Sequence, residues 1–249
     1  MEKRRQFQGA LNILSFNRHF YISGLAVLAV FLACHFVFDW PNLILWLVSA
    51  AFLYGLIMPL IVSAYVYDFS GYYNFFWLDP LVPNLQKAAL VVNINAGFDE
   101  TSFIIKDKFA QSEIRVFDFY NAGQHTEPAI KRARKVSLVY PNTQHIDPDN
   151  IPLRDKCADM IFLLSAVHEI RSQEEKVRFL AECHRLCKPG GQVIMVEHLR
   201  DIPNFLAFSV GFTHFFSRSI WKTAFKTAGF SSFRETKFTP FMSIFSCAP

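Results

Sequence analysis

Residues 145–198, HIDPDNIPLRDKCADMIFLLSAVHEIRSQEEKVRFLAECHRLCKPGGQVIMVEH, decide the fold of this chain. The apolar run Asp159–Leu164 has the length of a buried strand, and Gln173–Cys187 has the spacing of an amphipathic helix. Lys188–Gly191, a Lys-Pro-Gly-Gly turn, ends that helix, and Gln192–Glu197 is a second strand. A strand, a helix and another strand in this order predict two parallel strands of one sheet.

The same alternation continues on both sides of this stretch. Further strands are predicted at Ala88–Asn95, Glu113–Phe119, Phe233–Thr239 and Phe241–Ser246, and further helices at Asp99–Phe109, Pro128–Lys135 and Ser219–Gly229. The pattern predicts an α/β fold: a mostly parallel sheet with helices on both faces and an antiparallel hairpin at its C-terminal end. Ligands of such sheets bind at the carboxyl ends of the strands.

Two long apolar runs precede the sheet. Phe20–Phe38 and Leu43–Val66 contain no Asp, Glu, Lys or Arg. As helices they would extend about 28 and 36 Å, enough to cross a hydrocarbon core of about 30 Å. We therefore predict two transmembrane helices. A buried helical hairpin in a soluble core is the alternative, and a cleaved signal peptide fits poorly because both runs exceed its usual length.

Charge predicts the orientation of the two helices. Lys3, Arg4, Arg5 and Arg18 precede the first run, whereas the turn between the runs carries only Asp39. The positive-inside rule then predicts a multi-pass protein of the cell membrane, with the N-terminus and the C-terminal domain in the cytoplasm. We divide the chain into an anchor (residues 1–66), an interfacial linker (67–87) and a globular domain (88–249). An ordinary helix packed on the sheet is the alternative for the linker.

Composition narrows the function classes. The net charge is +4, and the hydrophobic fraction of 52% with 28 Phe is high for a soluble domain of this length. We expect no nucleic-acid partner, because basic residues are not interleaved with aromatic ones along a stripe. The five Cys show no pairing pattern. Cys183 and Cys187 are expected to be core residues and not metal ligands, and no metal site is predicted.

Several local signatures of residues 88–248 resemble the Rossmann-like (class I) S-adenosylmethionine-dependent methyltransferases. Asp147, Ile151-Pro152 and Ala158-Asp159 match the family's Asp, Leu-Pro and Phe-Asp positions, and RLCKPGGQVIMVEH matches its Leu-Lys-Pro-Gly-Gly turn. The resemblance implies a seven-stranded Rossmann-like sheet and S-adenosylmethionine as cofactor. It also implies cofactor contacts from the loop after the first strand, from the end of the second strand and from the residue near the adenine, namely Asn93, Asn95, Gly97, Phe98, Asp118, Phe119 and Asp147.

The first loop departs from the family pattern. Asn93 replaces the usual acid, Asn95 the first glycine and Asp99 the third, so that only Gly97 remains. Asn tolerates positive φ better than most residues, so Asn95 can hold the turn. Two interpretations stay open: a variant loop that still binds S-adenosylmethionine, or a degenerate domain that serves as a non-catalytic membrane scaffold.

Catalytic candidates follow the two central strands. His168 stands after one strand, and Glu197 and His198 end the next. Either His198, oriented by Glu197, or His168 is a plausible general base, and the alternative is a structural network of these polar side chains. The insert Asp201–Phe216 is very apolar and predicts a pocket for a hydrophobic or lipid-like acceptor; a helix packed on the sheet is the alternative. The sequence thus predicts a membrane-anchored methyltransferase acting on a hydrophobic small molecule.

Overall fold

The computed structural model describes residues 5–82, 88–123 and 127–249. A seven-stranded sheet with the order β3-β2-β1-β4-β5-β7-β6 forms its centre. The strands are β1 (Leu90–Asn95), β2 (Glu113–Asp118), β3 (Gln144–His145), β4 (Ala158–Leu164), β5 (Cys187–His198), β6 (Ser232–Thr239) and β7 (Met242–Ala248). β1 to β5 are parallel, and β7 pairs antiparallel with β5 and β6. The predicted fold class is confirmed.

Helices cover both faces of the sheet. They are α1 (Gln8–Phe16), α2 (Arg18–Phe38), α3 (Asn42–Ser63), α4 (Ser102–Lys108), α5 (Pro128–Arg134), α6 (Gln173–Leu186), α7 (Ile202–Phe208) and α8 (Arg218–Thr227). Successive strand residues point to opposite sides. Ile161 and Leu163 of β4 therefore pack with α6 and α8, on what we call the first face. Phe162 and Leu164 pack with α4, α7 and residues 62–78, on the second face.

The structure differs from the sequence-based elements at three places. β3 was not recognised, because a strand of two exposed residues has no apolar pattern. β5 begins at Cys187, and Ala158 pairs with it before the register shifts, so the Pro-Gly-Gly turn lies within a strand. Helix α1 was also not predicted. Its N-terminal amides are capped by a residue distant in sequence, because the Asp68 carboxylate accepts hydrogen bonds from Gly9 N (2.8 Å) and Ala10 N (3.2 Å).

Helices α2 and α3 are long and apolar enough to cross a membrane. Of their most apolar stretches only 11% and 0% of the residues are buried. A core helix of a soluble protein is mostly buried, and neither helix is. The two helices leave large side chains such as Phe36 (79% exposed) and Trp46 (70%) uncovered. Two such helices near the N-terminus are, by length and composition, candidate membrane spans.

The segment after α3 leads back onto the sheet. It forms a π-helix at Ala64–Phe69 and single 3₁₀ turns at Tyr72–Asn74 and Phe76–Leu78. Phe75 and Leu78 are fully buried against the second face. This packing corresponds to the alternative given for the linker. A position along lipid headgroups stays a prediction, and residues 83–87 lie outside the described part of the chain.

Candidate active site

A cavity of about 640 Å³ opens at the carboxyl edge of the sheet. It lies beside the ends of β2, β3 and β4, next to the switch point between β1 and β4, where the order of the parallel strands across the sheet reverses. This is the position at which open α/β sheets bind their ligands. Its walls include two predicted site residues and several charged side chains: Phe119, His145, Asp147, Asp149, Glu169, Arg171, Glu175 and Arg178.

The loop after β1 forms a tight turn next to this edge. Asn95 Oδ1 accepts a hydrogen bond from Gly97 N (2.8 Å), and Gly97 has φ of +87°, which favours glycine. Asp99 Oδ1 accepts from Thr101 N (3.0 Å) and Ser102 N (2.9 Å), at the start of α4. Asn95 Nδ2 and Asp99 Oδ2 are buried and have no partner within the described residues. A buried donor and a buried acceptor without partners fit a polar ligand at this loop.

Two other predicted cofactor residues of the loop are used in packing. Asn93 is 1% exposed and donates through Nδ2 to Ser102 Oγ (2.7 Å). Phe98 packs edge-on against Phe16 of α1, with 5.3 Å between the ring centroids. The structure therefore brings Asn95 and Gly97 to the edge, whereas the buried Asn93 and the partly buried Phe98 make contacts within the protein. A ligand contact at either of the latter stays a prediction.

Asp118 ends β2, opposite Asn95 of β1. Its Oδ1 accepts from Tyr120 N (2.8 Å), and its Oδ2 forms an ion pair with Arg134 Nη1 (2.8 Å). The Arg134 guanidinium also stacks over the Tyr120 ring and fills the space that a Cβ at Gly97 would occupy. One arginine of α5 thus covers both the acidic residue and the glycine that the resemblance assigns to the cofactor.

His168 and Glu197 form a buried pair on the first face. His168 Nδ1 lies 2.8 Å from Glu197 Oε2, while Glu197 Oε1 accepts from Val167 N (2.9 Å). Burial by itself would lower the pKa of His168, but the Glu197 carboxylate, helped by Glu169, outweighs it and raises the pKa to about 10. The pair holds a proton firmly at neutral pH.

The sequence-based pairing of His198 with Glu197 is wrong. Adjacent residues of a strand point to opposite faces, so Glu197 faces His168 and His198 enters the second face. There His198 Nδ1 lies 2.9 Å from the Phe241 carbonyl oxygen, which can only accept, so Nδ1 carries the proton. Nε2 accepts from the Tyr67 hydroxyl (3.0 Å). Burial lowers the pKa of His198 to about 4, which keeps the ring neutral.

Tyr67 belongs to a group of tyrosines that sequence analysis missed as site residues. Tyr72 Oη lies 3.5 Å from Ser165 Oγ, just after β4, and Tyr73 donates to Glu100 in the loop after β1. The aromatic run suggested a membrane interface instead. Tyr67 lies in a π-helical turn, and such turns are frequent at functional sites. The π-helix is visible only in the structure, so it could not be predicted from the sequence.

His168, Glu169 and His214 bring three possible metal-ligand atoms within 4.8 Å of one another. Both ring nitrogens of His168 already face carboxylates, since Nδ1 is 2.8 Å from Glu197 and Nε2 is 3.5 Å from Glu169. His214 Nδ1 in turn lies 3.5 Å from Glu127. The group forms a chain of histidine–carboxylate pairs that needs no ion to satisfy it.

One protein-family model matches part of the chain, and many solved structures are similar to its fold. A methyltransferase-domain family model matches residues 115–195. No curated protein matches the sequence. Among solved structures, human N-acetylserotonin methyltransferase in complex with S-adenosylmethionine is 14% identical with a TM-score of 0.55, covering 97% of this chain and 70% of that chain.

Two bacterial structures are also similar. A putative O-methyltransferase from Nostoc punctiforme is 14% identical with a TM-score of 0.53, covering 77% of this chain and 60% of that chain. A methyltransferase dependent on S-adenosylmethionine from Aquifex aeolicus is 14% identical with a TM-score of 0.50, covering 71% of this chain and 92% of that chain. At such identity the likeness shows the fold alone.

Proposed function

We propose that residues 88–248 form a class I S-adenosylmethionine-dependent methyltransferase domain, and that the chain is a membrane-anchored enzyme that methylates a hydrophobic or lipid-like small molecule at the cytoplasmic face. The observation that carries the proposal is the edge of the sheet at β1 and β2. This edge carries the turn at Gly97, the carboxylate of Asp118 and the unpartnered buried atoms of Asn95 and Asp99, and Phe119, the residue after Asp118, lines the cavity.

The residues at this edge fit the cofactor chemically. Asp118 accepts hydrogen bonds from the ribose hydroxyls once Arg134 has moved aside, and a carboxylate suits a vicinal diol. Asn95 donates and Asp99 accepts at the amino-acid end. Phe119 and Asp147, which line the cavity, take the adenine. When bound, S-adenosylmethionine supplies a methyl group activated on a sulfonium sulfur, so the protein mainly has to position the acceptor.

The pair of His168 and Glu197 handles the proton of a hydroxyl or amine acceptor. His168 follows β4 at the edge, and its neighbour Glu169 lines the cavity. Glu197 orients the ring and stabilises its protonated form, so at neutral pH only the small neutral fraction of His168 accepts a proton from the acceptor. Because the pKa of His168 is raised, the neutral, accepting form becomes more abundant as pH rises toward 10.

The acceptor class is inferred from α7 and the 3₁₀ turn after it. Ile202, Phe205, Leu206 and Val210 are 49–83% exposed, which is high for apolar side chains. The Tyr54 hydroxyl of α3 donates to the Leu206 carbonyl oxygen (2.6 Å), so this apolar surface continues that of a candidate membrane span. An acceptor dissolved in the bilayer would reach the edge of the sheet along a continuous apolar path.

Membrane anchoring and orientation are part of the proposal. The exposed apolar surfaces of α2 and α3 support anchoring, and Arg5 and Arg18 support a cytoplasmic N-terminus. Lys3 and Arg4, which contribute to the same prediction, lie outside the described residues. The connection of α3 to the second face then keeps the methyltransferase domain on the cytoplasmic side.

A non-catalytic scaffold is the second candidate, and one observation favours it. Arg134 occupies the place of the ribose, and Asn93 is turned into the protein. In that case the domain would bind no cofactor and would serve only to recruit partners.

The first experiment measures transfer of a radiolabelled methyl group from S-adenosylmethionine to organic-extractable acceptors, using the full chain in nonionic detergent and an extract of membrane lipids. Label that appears in the organic phase and depends on the protein supports the enzyme. Binding of the cofactor, measured by calorimetry on the same sample, separates the candidates, because a folded protein without binding supports the scaffold.

The acceptor class is tested with Phe208→Ser/Phe212→Ser. Phe208 packs beside His198, and Phe212 packs on Phe205, at 5.3 and 5.1 Å between ring centroids. Turnover of a membrane-partitioned acceptor should fall more than turnover of a soluble analogue. Equal losses on both acceptors would contradict the apolar path.

A further inference from the structure

Helix α5 packs against α1 on one side, contacts the predicted cofactor site with Arg134, and exposes two lysines to the surroundings. Ile130 and Ala133 are buried and pack with Phe16 of α1. Arg134 turns toward the cofactor edge. Lys131 and Lys135, one helical turn apart, are exposed on a common side. No carboxylate of the described residues forms an ion pair with either lysine.

Arg132 connects α5 to the end of α1 and the start of α2. Its guanidinium donates to the carbonyl oxygen of Phe16, the last residue of α1, and lies 2.8 Å from Nδ1 of His19, the second residue of α2. The exposed apolar surface of α2 begins immediately afterwards, at Phe20, which is 66% exposed. If α2 crosses the bilayer as proposed, α5 lies where the hydrocarbon ends, among the lipid headgroups.

The chain that leaves α5 is unusually apolar for a surface loop. Val136, Leu138 and Val139 are 61%, 48% and 78% exposed. Cations next to exposed aliphatic side chains are the combination by which proteins hold an anionic membrane surface: the apolar groups enter the interface and the ammonium groups meet phosphates.

We propose that Lys131, Lys135 and the loop 136–139 form a binding surface for anionic phospholipid headgroups. The occupant is a lipid, and not a free phosphate, because the aliphatic side chains beside the lysines require acyl chains to cover them. The proposal rests on the membrane anchoring proposed above but not on cofactor binding or methyl transfer.

The test uses native mass spectrometry of the full chain in nonionic detergent, titrated with phosphatidylglycerol or with phosphatidylcholine of the same acyl chains. Phosphatidylglycerol should bind more tightly. Lys131→Gln/Lys135→Gln should weaken its binding by about thirty-fold, the factor expected for two lysines at an anionic surface, and should leave phosphatidylcholine binding unchanged. Inorganic phosphate at millimolar concentration should not compete.

A matched control comes from α8. Lys222 and Lys226 are also exposed and one turn apart, but α8 lies on the first face, away from α1–α3. Lys222→Gln/Lys226→Gln removes the same charge and should change phosphatidylglycerol binding less than twofold. Equal binding of the two lipids, equal losses in the two double variants, or competition by phosphate would each overturn the surface. A protein that stays monodisperse without detergent would overturn the anchoring and the surface with it.

Discussion

Replacing Arg134 by Gln should strengthen the binding of S-adenosylmethionine. Asp118 Oδ1 is committed to Tyr120 N, and its Oδ2 is held by Arg134 at 2.8 Å. The same guanidinium fills the space above Gly97. The ribose can therefore approach Asp118 only after the ion pair with Arg134 has opened, and the free energy of that opening is subtracted from the free energy of binding.

The exposure of the two partners sets the magnitude. Arg134 and Asp118 side chains are 36% and 15% exposed, so the pair is largely screened by solvent and contributes about 0.2–1 kcal/mol. The stacking on Tyr120 adds about 0.5 kcal/mol at such a site. Removing both should tighten binding by up to about tenfold. Asp118→Asn loses charge-assisted hydrogen bonds of about 1.5–3 kcal/mol and should weaken binding by about ten- to one-hundred-fold.

Calorimetric titration of the detergent-solubilised full chain measures both effects. Arg115→Gln is the matched control, because Arg115 also pairs with a carboxylate (Glu113, 2.6 Å) but stands near the start of β2, away from Asp118. Its affinity should equal that of the unmodified chain. Weaker binding in Arg134→Gln would refute the reasoning, since Arg134 would then hold the cofactor and not exclude it. Unchanged binding in Asp118→Asn would remove the carboxylate from the site.

Three further predictions concern the paired groups and the turn. His168 has its pKa raised to about 10 in the folded state, against about 6.5 in the unfolded state, so its protonation stabilises the fold fully below pH 6.5 and this stability is lost as pH rises through 10. In Glu197→Gln the dependence of Tm on pH should be flatter. An unchanged profile would contradict the pairing. Tyr67→Phe removes the hydrogen bond to His198 and should lower the free energy of unfolding by about 1 kcal/mol in a denaturant titration. Tyr54→Phe is the control, because the Tyr54 hydroxyl forms its hydrogen bond at the surface. Equal small losses in the two variants would contradict a stabilising hydrogen bond between Tyr67 and His198. Gly97→Ala should weaken cofactor binding while the protein stays folded by circular dichroism, because φ of +87° strains any L side chain and Tyr120 Cβ lies 3.0 Å from the added methyl group. Unchanged affinity would contradict this.

Much of the sheet was predictable because its strands are short apolar runs separated by helices with clear ends. Residues 145–198 alone indicated two parallel neighbours, and β4 and β5 are such neighbours. β3 and α1 escaped because their stability comes from partners distant in sequence: β3 from β2, and the start of α1 from the Asp68 carboxylate. Local periodicity carries no information about such partners.

The place of the candidate site, at the carboxyl ends of the strands, was predictable, but the contacts among its side chains were not. Positions Asp118, His168 and Glu197 follow from where strands end. The error in joining Glu197 to His198 was avoidable, because alternation along a strand separates adjacent side chains. By contrast, neither the guanidinium of Arg134 over Gly97 nor the hydroxyl of Tyr67 on His198 has a sequence signal, since both depend on how distant helices are docked.

The Asp68 carboxylate that caps α1 has a consequence for how the enzyme would sit on its membrane. Asp68 lies in the π-helix that follows α3, so the cap joins the chain before the helical hairpin to the chain after it, across 59 positions. A domain joined to a membrane helix by a single connection can rotate and tilt relative to the bilayer. A domain joined to both ends of a helical hairpin is restricted in both motions. For a chain anchored as proposed, the distance from the bilayer midplane to the transferable methyl group is then fixed. Such an enzyme selects its acceptor partly by depth, because only a molecule whose reactive atom rests at that level of the leaflet meets the methyl donor.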